Sequence, residues 1–594
     1  MSVENLVIRI GGESGEGIIT AGDLLTLAAA RCGYYVHTFR TYPAEIRGGP
    51  VMFQLRVGVR PVPSLGDRLD ILVAFNKEAW QLHGDQLKSD GVLVYDSDEF
   101  EAPESFRGTA YAVPFTSIFN GLNMRRGKNV LVVGAISALF DFAFSCLDGV
   151  VAEKLGKKRA KFAESNRAAL MTGFRWVKEN LAKKDGYVLG PPEEHGPQLV
   201  MSGNNAIVAG ALAAGCRFFA GYPITPASDI MQEMAMRLPP LGGAYIQSED
   251  EISAISSVVG ASYAGVKAMT ATAGPGLSLM VEVLGLASMA ELPIVIVDAQ
   301  RGGPSTGLPT KMEQSDLNLA LYGAHGDAPR IVLALRSVED AFYQMIHAFN
   351  MAETYQMPVI VLSDQSLSHR TETVPYPDLS RVEAVGRRRP TAKEMKDYRR
   401  YQLTADGVSP FAVPGLDEAP WRATGLEHDE YSRIKYDPFT HTAMTEKRWR
   451  KLQTAAAQAD GTAHYGVEKP QVGIIAWGST AGSVQEATER LAAQGWPVAA
   501  LTPAVIHPLP VGVIREFAAG LKAVLVPEVN YDGQFARHLR AQMGLETLSV
   551  TKYGGLPFAP AEIVARVEEV MNDLKIESAH ETAHVDAAVE EVEV

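Results

Sequence analysis

Three turns, each closing a short apolar run, constrain this chain more than any other feature. Residues 218–220 run into Gly-Tyr-Pro-Ile-Thr-Pro-Ala-Ser (221–228). Ala244–Gln247 runs into Ser-Glu-Asp-Glu (248–251), and Ala268–Thr272 into Ala-Gly-Pro-Gly (273–276). Each run is followed by a stretch long enough for a helix. The runs lack the in–out alternation of a half-exposed strand, so they read as strands buried on both faces. Short buried strands alternating with helices define a parallel α/β sheet. Further strands of this unit are expected at 294–298 and 359–362.

The same logic divides the rest of the chain. Residues 6–10 read as a buried strand, followed by Gly11-Gly12-Glu13-Ser14-Gly15-Glu16-Gly17 and an apolar helix over about 18–31. Strands near 34–39 and 71–74 follow, giving an α/β unit over 1–188. Gly190-Pro-Pro-Glu-Glu-His-Gly-Pro197 is a linker by composition (189–198). The central unit spans 199–380. Residues 381–468 are rich in Arg, Pro and aromatics without periodicity. They read as an ordered crossing segment, because Trp421, Tyr431, Phe439 and Trp449 call for burial. A third α/β unit is expected over 469–575, with strands at 472–477, 498–501 and 523–527, and an acidic tail over 576–594.

Charge excludes some functions. Lys plus Arg number 55 and Asp plus Glu 69, a net charge of 55 − 69 = −14. No basic block offsets this, which argues against nucleic acid and an anionic membrane surface. The apolar runs are too short to span a bilayer, and residues 1–10 lack the charged and cleavable regions of a leader. The expectation is a cytoplasmic protein. Cys32, Cys146 and Cys216 are read as free buried thiols in a reducing compartment. A cubane iron–sulfur cluster takes four thiolates, so three cysteines leave the chain without one.

The three central turns also carry chemistry. A Pro-stiffened turn, an acid just past a short strand and a Gly-Pro-Gly turn are the parts of an aminopyrimidine pocket for thiamine diphosphate. That cofactor is activated by one carboxylate hydrogen-bonded to its ring N1′, and the acid must be buried to match its proton affinity. Glu249 is the first choice and Glu251 the second. Without the flanking turns, Glu249, Asp250 and Glu251 would read as an acidic helix start favoured by the helix dipole.

Tyr222-Pro-Ile-Thr-Pro-Ala-Ser228, Gln247-Ser-Glu249 and Asp298-Ala-Gln-Arg301-Gly-Gly-Pro-Ser-Thr-Gly-Leu-Pro-Thr310 resemble the alpha subunit of the 2-oxoacid:ferredoxin oxidoreductases. The resemblance covers nearly the whole chain. Residues 1–188 are similar to that family's gamma subunit, fused ahead of alpha, and the whole is similar to the 2-oxoglutarate-specific branch. The resemblance implies three α/β domains with mainly parallel sheets: a gamma-like domain, a pyrimidine-binding domain and a transketolase C-terminal-like domain. It implies cofactor contacts from Tyr222, Pro223, Ile224, Gly274 and Pro275, and substrate contacts from Thr225 and Arg301. A guanidinium grips a carboxylate bidentately. The bland alternatives are an ion pair for Arg301 and a capping hydroxyl for Thr225.

Two further motifs are missing or irregular. The pyrophosphate end of this cofactor is usually held through Mg²⁺ by Gly-Asp-Gly and a later Asn-Asn. The chain has no Gly-Asp-Gly, and its one Asn-Asn, Asn204-Asn205, precedes the pocket. With no cysteine quartet, this is half a cofactor site. The resemblance implies a beta subunit that supplies the other half, with Mg²⁺ and a [4Fe-4S] cluster, and a dimer of alpha–beta heterodimers that reduces ferredoxin. The N-terminal loop, Gly12-x-x-Gly15-x-Gly17, departs from the dinucleotide fingerprint, yet still offers N–H groups to an anion. The resemblance implies coenzyme A contacts here from Gly12, Ser14, Gly15, Gly17, Arg40 and Arg47. Pyruvate or a branched-chain 2-oxoacid is the alternative substrate, with Lys311 a possible donor to the second carboxylate of 2-oxoglutarate. A lipoyl-linked dehydrogenase component and a non-catalytic acyl-CoA-binding scaffold are the rival classes.

Overall fold

The computed structural model describes residues 3–43, 48–141, 143–156, 160–415, 419–457 and 461–579. The chain forms two compact units, one of residues 1–201 with 369–376, the other of 202–368 with 377–594.

The first unit is built on an eight-stranded sheet. Its order is Thr109–Val113, Leu87–Asp96, Leu69–Ala74, Asn5–Glu13, Pro50–Gly58, Tyr35–Thr41, Thr371–Pro375 and Gln198–Ser202. The half from Asn5–Glu13 to Thr109–Val113 is parallel. On the other side, Pro50–Gly58 runs antiparallel to both of its neighbours. That strand escapes the sequence reading because its antiparallel partners, Asn5–Glu13 and Tyr35–Thr41, are set by the fold and not by local pattern. The helix Lys128–Phe140 is apolar on every face and buried over eleven residues from Val130 to Phe140. It crosses the helix Ala160–Asn180 backbone to backbone. A Cβ on Gly134 would stand 2.1 Å from the Leu170 carbonyl oxygen, and one on Gly173 2.0 Å from that of Leu131. Only glycine admits this approach.

In the second unit, seven strands lie in the order Val505–His507, Ile331–Ala334, Val359–Asp364, Val295–Gln300, Ala268–Thr272, Phe218–Gly221 and Ala244–Gln247. The pairings are parallel, except that Val505–His507 is antiparallel to its neighbour. A five-stranded sheet follows: Ala463–Gly466, Val498–Thr502, Val472–Ile475, Ala523–Glu528 and Leu548–Thr551. Its pairings are parallel beyond the first strand. The three sheets make the protein a mixed α/β chain with mainly parallel strands.

The crossing segment is less irregular than its composition suggests. It carries a 19-residue helix, Pro438–Ala456, capped by Asp437, whose side chain accepts from the Thr440 amide. Trp421 is buried and Trp449 half-buried, but Tyr431 and Phe439 are exposed, Phe439 at 87%. Burial is instead achieved by Tyr401, Phe411 and Trp421 around the guanidinium of Arg400, each ring within 5 Å.

The cysteine expectation is corrected. Cys32, at the C-terminal end of the helix Ile18–Arg31, and Cys146, in the helix Phe144–Gly156, form a disulfide, while Cys216 is free and buried. Packing of those two helices brings Cα atoms 114 residues apart to 6.2 Å, which spacing in the sequence does not reveal. Among the described residues no helix is long and apolar enough to cross a membrane. Most of the acidic tail, residues 580–594, lies outside the described residues.

Candidate active site

Four adjacent parallel strands deliver the candidate residues to one end of the seven-stranded sheet. In open α/β sheets ligands bind beyond the carboxyl ends of the strands. Phe218–Gly221 leads into Tyr222–Thr225, and Ala244–Gln247 into Glu249–Glu251. Ala268–Thr272 leads into Gly274-Pro275-Gly276, and Val295–Gln300 into Arg301. Tyr222 and Pro223 are exposed, Ile224 and Thr225 half-buried. Arg301 is buried, and its Nη1 donates to the Thr225 carbonyl oxygen at 2.6 Å. Arg301, Gly274 and Pro275 line one cavity of about 360 Å³ together with Ser278, Gly302 and Asp316. Lys311 does not line it; the Lys311 side chain runs against Gly555.

The two candidate acids differ in exposure in the single chain. Glu249 is exposed, and Asp250 is spent capping the helix Glu251–Tyr263, its side chain accepting from Ser253 N at 2.7 Å. Glu251, one residue on, turns inward and is only 6% exposed. Its carboxyl faces the Gly-Pro-Gly turn: a Cβ on Gly276 would stand 2.6 Å from Glu251 Oε1 and 2.0 Å from Thr272 Oγ1. Glu251 is thus the acid enclosed within the chain, because it is the first inward position of a helix capped at Asp250, while Glu249 lies on the open side.

Polar groups left without a partner in the chain mark the same end of the sheet. Ser248 Oγ, Thr270 Oγ1, both oxygens of Asp298, Asp316 Oδ2 and Arg301 Nε are enclosed and make no hydrogen bond. Buried polar groups are nearly always paired, so these groups are available to a ligand. Burial, and then the nearby Asp316, push the Asp298 carboxyl well above the usual range. Burial also raises Asp316, to about 7, with Glu313 adding and Arg301 opposing.

The third sheet fixes the loop that carries Asp316. Gln314 donates from its backbone N to Val529 O at 2.7 Å and from Nε2 to Trp477 O at 3.0 Å. Its Oε1 accepts from Thr480 Oγ1 and Val529 N. Asn530 Nδ2 donates to Gln314 O, and Gln534 binds Ser315 O and the Asn318 amide. Glu528 is fully buried and accepts from the amides of Phe535 and Ala536. The Glu528–Gln534 motif is therefore a clamp on the pocket wall.

The N-terminal loop is arranged differently from an open anion cradle. Gly12 is buried, Ser14 and Gly17 are half-buried, and Gly15 is exposed. Gly15 (φ 105°) and Gly17 (φ 82°) hold left-handed backbone. The Glu13 amide donates to the Glu16 carboxylate at 2.7 Å, and the Ser14 amide to Gly49 O at 3.0 Å. Arg40, half-buried in Tyr35–Thr41, lowers the carboxyl of Asp23, which burial raises. Arg47 lies outside the described residues.

Comparison with known proteins gives the family of the chain. The family model described as pyruvate flavodoxin/ferredoxin oxidoreductase, thiamine diP-bdg, matches residues 209–447. Pyruvate ferredoxin/flavodoxin oxidoreductase matches 7–176, and pyruvate:ferredoxin oxidoreductase core domain II matches 471–563. The chain is 34% identical over 605 residues to the 2-oxoglutarate oxidoreductase subunit KorA of Mycobacterium tuberculosis, covering 94% of this chain and 91% of that one. It is 32% identical over 641 residues to a 2-oxoacid:ferredoxin oxidoreductase subunit alpha of Aeropyrum pernix, covering 96% and 98%. A solved 2-oxoglutarate:ferredoxin oxidoreductase from Magnetococcus marinus, with 2-oxoglutarate, coenzyme A and succinyl-CoA bound, superposes with a TM-score of 0.91 at 43% identity, covering 96% and 99%. The fold and site define a thiamine diphosphate-binding 2-oxoacid oxidoreductase. The chain belongs to the 2-oxoacid:ferredoxin oxidoreductase family, as a subunit in which gamma and alpha parts are fused.

Proposed function

We propose that the chain is the gamma–alpha subunit of a 2-oxoglutarate:ferredoxin oxidoreductase. The reaction is 2-oxoglutarate, coenzyme A and two oxidised ferredoxins giving succinyl-CoA, CO₂, two reduced ferredoxins and a proton. The observation that carries the reading is the buried Glu251 carboxyl against Gly276, beside a cavity that holds Arg301. The site fits the aminopyrimidine half of thiamine diphosphate: an enclosed acid, a turn with no room for a Cβ, and an unpartnered Ser248 hydroxyl. A bound cofactor would supply a nucleophilic carbon for the 2-oxo group and a sink for the charge left by CO₂.

The chain's own residues do the rest. Glu251 offers its enclosed carboxyl as hydrogen-bond partner to the ring nitrogen of the cofactor. Tyr222, Pro223 and Ile224 wall the ring, and Gly274 and Pro275 close the cavity beneath the substrate. Arg301 binds the 1-carboxylate, and Thr225 directs its hydroxyl at the 2-oxo oxygen. The Arg301–Thr225 hydrogen bond supports a shared role. Relatives named as subunits, and the absence of a Gly-Asp-Gly motif, support a beta subunit carrying Mg²⁺ and the [4Fe-4S] cluster, with the chain inactive alone. Exposed Tyr222, Ile246, Ile252 and Leu279 around the site offer that partner an apolar surface. Coenzyme A is bound by the solved Magnetococcus relative; in this chain we assign its contacts to the 12–17 loop and Arg40.

The test is anaerobic co-expression with the beta subunit, followed by coenzyme A-dependent viologen reduction with 2-oxoglutarate and with pyruvate. Glu251→Gln should lower kcat at least ~10²-fold, the usual scale for a lost acid–base group. Glu249→Gln should change it less than about threefold. The reverse pattern would return the role to Glu249, and activity with pyruvate alone would overturn the substrate.

A further inference from the structure

Asp316 makes a poor structural residue and a good counter-ion. It stands at the N-cap of the helix Leu317–Tyr322, yet its side chain makes no capping hydrogen bond. The carboxyl instead reaches across the cavity floor to the start of the helix Gly274–Met289. A Cβ on Gly274 would lie 2.7 Å from both of its oxygens. Its backbone is held rigidly: the Asp316 amide donates to Gln300 Oε1 at 3.1 Å, and Gln314 and Ser315 are clamped by the third sheet. Oδ2 is enclosed without a partner, as are both oxygens of Asp298 and the Nε of Arg301.

We propose that Asp316 is the resting counter-ion of Arg301, that the 1-carboxylate of the 2-oxoacid displaces it, and that the Asp298–Asp316 pair takes up one proton from solvent as the substrate binds. Asp316 is thus a positioning residue, acting on the substrate through Arg301. This rests on the reading above that Arg301 receives the substrate carboxylate.

Asp298 is fully buried with no donor on either oxygen, so it stays protonated and contributes no charge. Arg301 and an ionised Asp316 line one cavity without a direct hydrogen bond between them, and when it is empty their opposite charges balance through space. An incoming carboxylate would place two anions beside one guanidinium in an enclosed site. Like charges that close do not both persist; Asp316 takes a proton, and Arg301 turns to the substrate.

Several groups face Asp316. Glu313 on the approach loop favours the protonated form; Asp298 on the strand Val295–Gln300 is itself protonated and adds no charge, and Glu251 stands beyond Gly276. Arg301 and the N-terminus of the helix Gly274–Met289 favour the ionised form. Burial and these neighbours leave Asp316 titrating at about 7, where a bound anion tips it readily. Below that pH the pair is already protonated and the substrate meets no rival for Arg301. Above it, each bound substrate brings a proton in, and affinity falls as pH rises.

The test uses the assembled enzyme with its beta subunit. N-Oxalylglycine keeps both carboxylates and the 2-oxo group of 2-oxoglutarate and resists decarboxylation. Its binding is followed by calorimetry in buffers of different ionisation heat, which counts protons. The wild type should take up close to one proton per ligand at pH 8 and close to none at pH 6, with Kd rising about tenfold between them. Asp316→Asn should abolish the uptake and flatten Kd against pH; uptake that survives this change overturns the proposal. Should Asp316→Asn fail to assemble, Glu313→Gln serves, because removing a neighbouring carboxylate must move the midpoint to lower pH; an unmoved midpoint overturns the proposal equally. Arg301→Gln separates the two readings. Unchanged affinity in that variant would remove the assignment of Arg301 to the substrate, and this proposal with it, whatever Asp316→Asn shows.

Discussion

Glu291 is one carboxylate among three buried cations, and replacing it with glutamine has a calculable consequence. Lys447 Nζ donates to both its oxygens at 2.7 Å, and Lys451 Nζ lies 3.0 Å from Oε2. Arg400 Nη2 donates to the Glu291 carbonyl at 2.8 Å, and all four side chains are essentially without exposure. The Glu291 backbone is left-handed, φ 52°, where glycine would be easier; the residue is present for its charge. Burial drags Lys447 down to about 8 and Lys451 to about 7 even with the carboxylate in place. In Glu291→Gln the two lysines lose their anion. Breaking a buried pair from one side costs about 3–5 kcal/mol. Shedding a proton at pH 7 from a group with an unfolded value near 10.5 costs ~5 kcal/mol, so neither escape is cheap. At ~2 °C per kcal/mol for a large domain, the unfolding temperature should fall by about 6–10 °C in scanning calorimetry. The sign with pH follows from proton counts. A lysine lowered in the folded state binds more protons when unfolded, so stability rises with pH above its folded value. In the wild type that rise starts near pH 7–8; in the variant it starts lower. The deficit should be largest near pH 6, shrink towards pH 8 and then level off. Adding Lys447→Met and Lys451→Met should recover most of the loss, since apolar replacement of buried ion clusters is often neutral or better. A loss under ~1 kcal/mol at pH 6, or a deficit that grows with pH, would refute this account.

Gly276→Ala should weaken thiamine diphosphate binding by about 5- to 150-fold, the equivalent of the ~1–3 kcal/mol of overpacking. The new methyl meets Thr272 Oγ1 and Glu251 Oε1 inside contact distance, and equilibrium binding of the cofactor to the assembled enzyme reads the change. Thiol titration should find no reactive cysteine in the native oxidised chain, because Cys216 is buried and its thiol is pushed up to about 12. One thiol should appear on denaturation and three after reduction; three thiols without reductant would remove the Cys32–Cys146 bond.

Much of the central sheet is legible in the sequence, because short apolar runs that end in Gly, Pro or acid admit few other structures. The strands expected at 294–298 and 359–362 appear as Val295–Gln300 and Val359–Asp364. Illegible features depend on partners distant in sequence. Pro50–Gly58 is a strand because Asn5–Glu13 and Tyr35–Thr41 flank it. Helix Pro438–Ala456 presents Lys447 and Lys451 to a carboxylate over 150 residues away, so its buried face mixes Lys447, Arg448 and Lys451 with Met444, Leu452 and Ala455, and the apolar stripe is broken. The burial of Glu251 is likewise not legible from the strand end alone; it follows from Asp250, which starts the helix where residue 251 faces in.

The clamp from the third sheet explains why the pocket needs the whole second unit. A loop such as 301–316, with Gly302, Gly303 and Gly307, has little backbone preference of its own. Left alone, it would not hold Arg301 and Asp316 in one cavity. Gln314 supplies the order by making four hydrogen bonds to Trp477, Thr480 and Val529. Glu528 and Asn530 hold those groups in turn: Glu528 Oε2 accepts from Trp477 Nε1 at 3.3 Å, and Asn530 Oδ1 accepts from the Gly533 amide at 2.8 Å. The substrate pocket is therefore placed by a polar network whose far end lies in another sheet. Such a network tolerates little error, because each buried group is costly when unpaired. Residues remote from the chemistry thereby gain control over how well the pocket binds an anion.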